Sequence, residues 1–257
     1  MQRIGSFFGG IYPPGFKDRT SAGPLENLPA PETVVVPLWQ YGDQEATPVV
    51  AKGDHVLKGQ VLGKGSSRLI TPVHSPVSGE VTAVEPRIHA CGDKMLSVVI
   101  ENDGLENWVE KESHPDPIGL DPGAIRDKIY AGGVVGMGGA GFSTAIKLDP
   151  PEGAVIDYLI INGCECEPYL TNDYRLMMEF GDDLILGAKL MAKACRARRI
   201  IIAVENNKPD ALEIMQEKAA PIEVVALPTK YPQGGERQLI QALTGREVPS
   251  GGLPYQA

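Results

Sequence analysis

The chain of 257 residues lacks any apolar run of the roughly twenty residues that a helix needs to span a bilayer. It also lacks an extended hydrophobic stretch near its N-terminus, which speaks against a secretory signal. Only four cysteines occur, so a disulfide-stabilised scaffold is disfavoured and a reducing compartment is favoured. Lysine and arginine number 24 against 33 aspartates and glutamates. The resulting net charge of −9 disfavours nucleic-acid binding.

Metal ligands are equally sparse. The four histidines are scattered through the first half of the sequence, and the Cys164-x-Cys166 spacing alone is a weak metal signal. A Cys-x-x-Cys-x-x-Cys-x-x-x-Cys-Pro run, which ligates [4Fe–4S] clusters, does not occur. No His or Ser constellation suggests nucleophilic or general-base catalysis either. We therefore predict neither a metal site nor a catalytic side chain.

Glycine, by contrast, is concentrated in one place. Residues 132–141 contain six glycines in ten positions, and Phe142 and a helix-like stretch up to Lys147 follow. Glycine N–H groups can converge on an anion because no Cβ shields them. A helix that opens after the loop adds the positive end of its dipole. This segment predicts a phosphate- or nucleotide-binding loop, with an ordinary tight turn as the alternative.

Residues 136–141 match the dinucleotide fingerprint G-x-G-x-x-G letter by letter, but that motif requires a strand before the loop. Here Asp121 and Pro122 predict the N-cap and first turn of a helix instead. The nearest predicted strand, 158–161, follows the loop. The order helix, loop, helix, strand weakens an ordinary Rossmann interpretation.

A second polar motif follows that strand, where residues 162–169 read Asn-Gly-Cys-Glu-Cys-Glu-Pro-Tyr. Open α/β sheets bind their ligands at the carboxyl ends of parallel strands. The amide of Asn162 and the carboxylates of Glu165 and Glu167 suit hydrogen bonds to a polar ring edge, a ribityl chain or a hydroxyl group. The alternative is a solvated loop in which Glu167 caps the following helix.

Strands and helices alternate along the rest of the chain. Strands are predicted at 199–204 and 222–227, and helices at 184–195 and from Pro209 onward. This alternation predicts a parallel sheet with right-handed crossovers. Residues 231–236 follow the last strand and so fall on the same sheet edge as residues 162–167. We expect the two loops to form one site.

Residues 34–105 instead carry short β-branched runs between turn signals. Two similar halves, 51–62 and 75–81, resemble a lipoyl- or biotinyl-type sandwich. Such carriers present a modified lysine between the halves. Lys64 lies there without a Met-Lys or Asp-Lys setting, which favours an unmodified module that packs on the following domain. The predicted organisation is an extended arm (1–33), a β domain (34–105), a linker (106–120) and an α/β domain (121–257).

The motifs together resemble the C subunit of the Rnf-type ion-translocating electron transport complex. They comprise the 136–147 and 162–169 segments, Tyr-Pro-Gln-Gly-Gly-Glu at 231–236 and Gly-Gly-Ile-Tyr-Pro-Pro at 9–14. More distantly, they are similar to the NADH- and FMN-binding subunit of respiratory complex I. The resemblance covers almost the whole chain. It implies a Rossmann-like, parallel-sheet α/β domain of the complex I flavin-subunit type that binds FMN and NADH, preceded by an all-β barrel-sandwich domain.

The resemblance also implies site residues. Those expected to bind the FMN phosphate are Gly136, Gly138, Gly139, Gly141 and Lys147. Those expected to border the flavin and complete its pocket are Asn162, Glu165, Glu167, Tyr231, Gly234, Gly235 and Glu236. Those expected at the NADH substrate are Phe142, Glu167 and Glu236. Ser143 stands where the family usually has proline, and Tyr12 where histidine is common.

The function implied is hydride transfer between NADH and FMN, with electrons passed on to [4Fe–4S] clusters. Those clusters are expected beyond Ala257, because the chain ends where the family continues into cysteine-rich repeats. The implied partners are the other subunits of a membrane-embedded complex. The implied location is peripheral, on the cytoplasmic face of the bacterial inner membrane. Two alternatives stay open: a cobalamin-reductase-type flavoprotein subunit of a bacterial microcompartment, and a docking scaffold that binds no flavin.

Overall fold

The structure, a computed structural model, describes residues 5–40, 44–137 and 141–257. The chain divides into two compact units. The β unit comprises Leu28–Pro150, and the α/β unit comprises Met1–Asn27 together with Pro151–Ala257.

Seven short strands among the described residues build most of the β unit. They are β1 (Thr33–Pro37), β2 (Thr47–Pro48), β3 (His55–Val56), β4 (Val61–Lys64), β5 (Val73–His74), β6 (Gly79–Ile88) and β7 (Lys94–Asn102). They pair antiparallel in two sheets, ordered β1-β7-β6-β3 and β2-β4-β5. The all-β architecture predicted for residues 34–105 is therefore confirmed.

The core of the β unit follows from the alternation of side chains along its strands. On β1, Val36 is buried while Val35 is 46% exposed. On β7, Val98 and Ile100 are fully buried and pack in the same cluster as Leu62. Burying an aliphatic side chain of this size contributes about 1.5–3 kcal/mol. The cluster thus supplies the driving force for a module rich in short strands.

Two helices complete the β unit: α1 (Pro122–Ala131) and α2 (Thr144–Lys147). The hairpin between the two sandwich halves contacts α1. Tyr130 donates its hydroxyl to the carbonyl of Ile70 at 3.3 Å, and His74 Nε2 lies 3.0 Å from the carbonyl of Ala131. Arg68 forms an ion pair with Asp127. In carrier modules this hairpin presents the modified lysine, whereas in this chain it packs against α1.

The compact units differ from the division predicted from the sequence. The predicted boundary at residue 120 separates α1 from the sandwich, whereas the compact division falls after Pro150 because α1 packs on the hairpin. Residues 107–109, predicted as part of a linker, pair with Lys58. The Lys58 N–H donates to the carbonyl of Asn107 at 2.8 Å, and the Val109 N–H donates to that of Lys58 at 3.0 Å.

The α/β unit is built on the three-stranded parallel sheet β10-β9-β8. Its elements are β8 (Tyr158–Gly163), α3 (Asn172–Glu179), α4 (Gly181–Cys195), β9 (Arg199–Glu205), α5 (Pro209–Ala219), β10 (Glu223–Leu227) and α6 (Glu236–Thr244). The predicted parallel sheet is confirmed. Alternate residues of β9 pack in two clusters, with Ile201 and Ala203 in one and Ile202 and Val204 in the other. No helix in the described parts of the chain is long and apolar enough to cross a membrane.

The N-terminal arm (residues 5–27) packs on the α/β unit. Ile11 forms an antiparallel bridge with Tyr231, through N–H···O bonds of 2.9 and 2.8 Å. Lys230 Nζ donates to the carbonyl of Phe7 at 2.6 Å. The N–H of Leu25 donates to Glu179 Oε1 at 3.1 Å. The sequence predicted an extended arm without indicating its partner, and the structure identifies that partner.

Candidate functional site

The residues predicted to bind FMN and NADH divide between the two units. Residues 136–147 belong to the β unit, and the predicted residues from Asn162 to Glu236 belong to the α/β unit. Gly138 and Gly139 lie outside the described residues.

In the α/β unit, the loops that follow β8 and β10 meet at one edge of the sheet. Asn162 Nδ2 donates to the carbonyl of Gly234 at 2.9 Å, and Asn162 Oδ1 accepts from the N–H of Cys164 at 3.2 Å. The prediction that residues 162–167 and 231–236 come together is confirmed. The Asn162 side chain therefore links the two loops by hydrogen bonds. Its contact with a flavin stays a prediction.

Glycine at position 234 permits this close approach. A Cβ on Gly234 would lie 2.8 Å from the carbonyl oxygen of Cys164 and 3.6 Å from Cys166 Sγ. Because the Cys164 atom at this contact belongs to the backbone, the two loops would have to move apart if residue 234 had a side chain.

We expect Gly234→Ala to destabilise the protein by about 1–3 kcal/mol, the usual effect of overpacking. Urea denaturation followed by circular dichroism measures the change. Gly187→Ala in α4 is the matched control, because its added Cβ would meet no described atom within 4 Å outside the backbone of its own helix. Alanine in a helix interior should stabilise by roughly 0.5–1 kcal/mol. Equal effects of the two substitutions would contradict the close contact at Gly234.

Glu165 is buried, with only 4% of its surface exposed. Its carboxylate accepts from the N–H groups of Asp173 at 2.7 Å and Tyr174 at 3.1 Å, in the first turn of α3. Glu165 therefore caps this helix, which one interpretation of the sequence assigned to Glu167. Glu167 is exposed, and its carboxylate lies 3.7 Å from Cys166 Sγ. Of the two, Glu167 has the carboxylate that is accessible to a ligand.

A buried charged cluster, which the sequence did not predict, lies behind Glu165. Lys208 Nζ lies 3.5 Å from Glu165 Oε2 and 3.4 Å from Glu205 Oε2. All three side chains are at least 95% buried. Burial raises the pKa of Glu205, and the positive charge of Lys208 opposes that shift. A glutamate at the end of a buried apolar strand, followed three residues later by lysine, is the signal that could have revealed the pair.

The two cysteines of this loop are poor nucleophiles in the folded protein. Burial raises the pKa of Cys164 to about 12, and burial also raises the pKa of the half-buried Cys166. Both thiols stay protonated at neutral pH. Across the described ranges, no three His, Cys, Asp or Glu side chains are grouped so that they could hold a metal ion.

A cleft of about 140 Å³ opens beside these loops within the α/β unit. Cys166 lines it from the first loop and Tyr231 from the second, while Tyr12 and Lys17 contribute a wall from the N-terminal arm. Glu236, at the start of α6, is exposed. The surface that lines the cleft is more apolar than polar, and the Lys17 ammonium at its wall already donates to backbone carbonyls.

In the β unit, the glycine loop (residues 132–143) is closed at its base. Val135 and Ser143 form an antiparallel bridge, and the N–H of Gly136 donates to the carbonyl of Phe142 at 2.9 Å. The loop follows α1 and leads directly into α2, as predicted from the sequence. Gly141 has a φ of +59°, a conformation that glycine adopts readily.

Lys147 ends α2 and points back to the glycine loop. A Cβ added to Gly136 would lie 2.9 Å from Lys147 Nζ, so the missing side chain leaves room for the ammonium beside the backbone. Lys147 Nζ also lies 5.9 Å from the centroid of the Phe142 ring. A cation beside backbone that carries no side chain fits an anionic group such as a phosphate, and the donor is the Lys147 ammonium because the Gly136 N–H already donates to Phe142.

Family comparisons agree with this architecture. Residues 129–257 match the Nuo51 FMN-binding domain, and residues 5–105 match the RnfC barrel sandwich hybrid domain. The first match includes the glycine loop, although this loop packs in the β unit. Fold and site thus define a protein in which a barrel-sandwich module precedes a domain of the complex I flavin-subunit type.

Curated relatives narrow the class. The C subunit of the Na⁺-translocating ferredoxin:NAD⁺ oxidoreductase complex of Acetobacterium woodii is 44% identical, over 98% of this chain and 58% of the relative. The counterpart from the proton-translocating complex of Clostridium ljungdahlii is 41% identical, over 97% of this chain and 55% of the relative. This chain belongs to the family of the Nuo51 FMN-binding domain, which spans half of it, and it is similar to the C subunits of these two complexes. It spans about half the length of these two relatives.

Among solved structures, an NAD⁺-reducing [NiFe]-hydrogenase in the air-oxidized state is similar, with a TM-score of 0.45 and 28% sequence identity. The similarity covers 52% of this chain and 25% of the hydrogenase chain.

Proposed function

We propose that this chain forms the FMN- and NADH-binding part of the electron-input subunit of an ion-translocating ferredoxin:NAD⁺ oxidoreductase complex. The observation that carries the proposal is the Lys147 ammonium beside the bare backbone of Gly136, within the segment that matches an FMN-binding domain. The relatives described above are named as subunits of such complexes. Those names favour this function over the cobalamin-reductase alternative.

In this proposal the glycine loop and Lys147 hold the phosphate of FMN. Backbone N–H groups of the loop donate to the phosphate oxygens, and Lys147 adds a charge-assisted hydrogen bond. The Lys147 side chain is exposed, so a phosphate group can reach its ammonium from solvent. Phe142, half-buried beside Lys147, contributes an aromatic face for the nicotinamide nucleotide.

Within the α/β unit, residues at the edge of the parallel sheet contact NADH. FMN, when bound, accepts a hydride from NADH and releases electrons one at a time. Glu167, Tyr231 and Glu236 present exposed polar groups to these ligands, whereas the Cβ positions of Gly234 and Gly235 face atoms of this chain. Asn162 holds the two loops together through its hydrogen bond to the carbonyl of Gly234. The protein contributes position and electrostatics, so it needs no general base.

The wider assembly follows from the same proposal. The chain docks on the other subunits of a membrane-embedded complex at the cytoplasmic face of the bacterial inner membrane. The [4Fe–4S] clusters that take up the electrons lie outside residues 1–257, since the sequence contains no cluster-binding cysteine run.

An FMN titration of the purified chain, followed by flavin fluorescence, tests the proposal. We expect saturable binding, and anaerobic addition of NADH should then bleach the flavin absorbance. Circular dichroism confirms in the same sample that the chain is folded. A folded chain that binds no FMN would favour the docking-scaffold alternative, and FMN binding without bleaching by NADH would reject the NADH site.

A further inference from the structure

We propose that Lys17 of the N-terminal arm is a positioning residue for NADH binding, because it fixes the site loop (residues 164–171) that carries Glu167. This inference rests on the proposed function. It joins the arm, which lies outside the segment matched by the FMN-binding family, to the cofactor site.

The ammonium group of Lys17 is surrounded by backbone carbonyls of the site loop. Lys17 Nζ donates to the carbonyl oxygens of Glu165 at 2.6 Å, Glu167 at 2.9 Å and Leu170 at 2.5 Å. A lysine ammonium has three donors, and this arrangement engages all of them. Three carbonyls that converge on one point repel one another unless a cation lies between them. Lys17 therefore determines the path of the loop from Glu165 to Leu170.

Further contacts from the same part of the arm converge on Tyr169. The N–H of Tyr169 donates to the carbonyl of Gly15 at 2.8 Å, and Thr20 Oγ1 donates to the carbonyl of Tyr169 at 2.6 Å. The rings of Phe16 and Tyr169 stack with centroids 5.1 Å apart. Tyr169 has a φ of +67°, which residues with a side chain seldom adopt. The arm thus holds the loop in a conformation that the loop would rarely adopt alone.

Lys17 also belongs to the electrostatics of the buried cluster. Burial and the nearby charge of Lys208 lower the pKa of Lys17, whereas Glu165 and Glu205 oppose that shift. The positive charges of Lys208 and Lys17 both oppose the effect of burial on the pKa of Glu205. Removing Lys17 would free the carbonyls on both sides of Cys166 and alter the charge around Glu165.

The arm contacts the backbone of the loop and leaves the ligand-facing groups free. The Glu167 side chain stays exposed while its own carbonyl is fixed by Lys17. Cys166 and Lys17 both line the 140 Å³ cleft. Loss of the lysine is therefore expected to move Glu167, and with it the NADH site, more than it changes the phosphate site in the β unit.

The experiment compares Lys17→Met, Lys17→Arg and the control Lys189→Met, an exposed lysine of α4, in the full chain loaded with FMN. The measurements are the Kd for FMN and the KM and kcat for NADH, with ferricyanide added as the electron acceptor that reoxidises the flavin. Lys17→Met should raise the KM for NADH by about 10- to 100-fold, the scale of a displaced positioning group. The kcat and the Kd for FMN should change less. Lys17→Arg, which keeps the charge and the donors, should recover most of the loss.

Amide hydrogen exchange supplies a readout that needs neither FMN nor activity. Peptides covering residues 164–171 should exchange faster in Lys17→Met than in Lys189→Met. Equal exchange in the two variants, or an unchanged KM for NADH in Lys17→Met, would overturn the role of Lys17. The proposed function would still stand in that case if the wild-type chain binds FMN. If the wild-type chain binds no FMN, the proposed function fails. The exchange comparison still tests Lys17 in that case, because equal exchange of the loop in Lys17→Met and Lys189→Met would show that Lys17 does not fix the loop.

Thr20→Val covers the case in which Lys17→Met does not fold. It removes the hydroxyl that donates to the carbonyl of Tyr169 at 2.6 Å and lies 3.3 Å from the carbonyl of Lys17. We expect faster exchange of the site loop and a higher KM for NADH, both smaller than for Lys17→Met. A Thr20→Val variant indistinguishable from wild type in both measurements would overturn the proposal.

Discussion

Replacing Lys208 with methionine will destabilise the α/β unit by about 3–5 kcal/mol, the effect of removing one partner from a buried ion pair. Lys208 is 5% exposed and lies within 3.5 Å of both Glu165 and Glu205. Without it, the two carboxylates stay buried without their ion-pair partner, and Lys17 remains as a weaker positive influence on Glu205. Urea denaturation followed by circular dichroism at 222 nm measures the loss, because α3–α6 belong to this unit.

Both tryptophans, Trp39 and Trp108, lie in the β unit. Tryptophan fluorescence therefore reports the unfolding of the β unit separately. We expect the fluorescence transition to be shifted less by Lys208→Met than the dichroism transition. The exposed Lys189→Met variant should change stability by no more than about 0.5 kcal/mol. A similarly small effect of Lys208→Met would reject the ion pair as a stabilising element.

The loss caused by Lys208→Met should depend on pH. Burial raises the pKa of Glu205, and the charge of Lys208 holds that rise back, so the substitution raises it further. The folded variant then binds a proton at a higher pH than the unfolded chain does. Its deficit is complete above the raised pKa and diminishes as the pH falls toward the ordinary value of a glutamate. Adding Glu205→Gln should recover part of the stability at neutral pH, and a deficit of equal size at pH 5 and pH 8 would contradict this account.

The sheet and the meeting of its two loops were predictable because the signals are local. The uninterrupted apolar run at 199–204 indicates a buried strand, and alternation with helices indicates parallel pairing. Once β8 and β10 are parallel neighbours of β9, residues 162–167 and 231–236 must leave the sheet at the same edge. The bond between Asn162 and Gly234 is a direct consequence of that topology.

The contacts that organise the loop were not predictable, because they join distant parts of the chain. Lys17 and Glu165 are separated by 148 residues, and neither hydrophobic periodicity nor turn chemistry relates such positions.

The cap on α3 illustrates the same limit. Glu165 and Glu167 are both close enough in sequence to cap it, and the path of the loop through Tyr169 decides in favour of Glu165. Likewise, the packing of α1 on the hairpin of residues 67–74 depends on tertiary contacts that the linker composition did not reveal.

Lys147→Met should raise the Kd for FMN by roughly tenfold to a hundredfold, since it removes a charge-assisted hydrogen bond to the phosphate. Fluorescence titration measures the change. Lys64→Met is the matched control, because this exposed lysine lies in β4 of the same unit and should leave the Kd unchanged. Lys147→Arg keeps the charge and should have an intermediate affinity. Wild-type affinity should also fall more steeply with added salt than that of Lys147→Met.

The two lysine substitutions test the proposed ligand contacts of the two units separately. Lys147 acts on the phosphate of FMN, so its loss should weaken FMN binding and change the KM for NADH little once the flavin is saturated. Lys17 acts on the loop that carries Glu167, so its loss should show the reverse pattern. An unchanged Kd for FMN in Lys147→Met would reject the phosphate assignment. If both variants instead lost affinity for FMN and NADH in equal proportion, the assignment of separate tasks to the glycine loop and the sheet edge would be wrong.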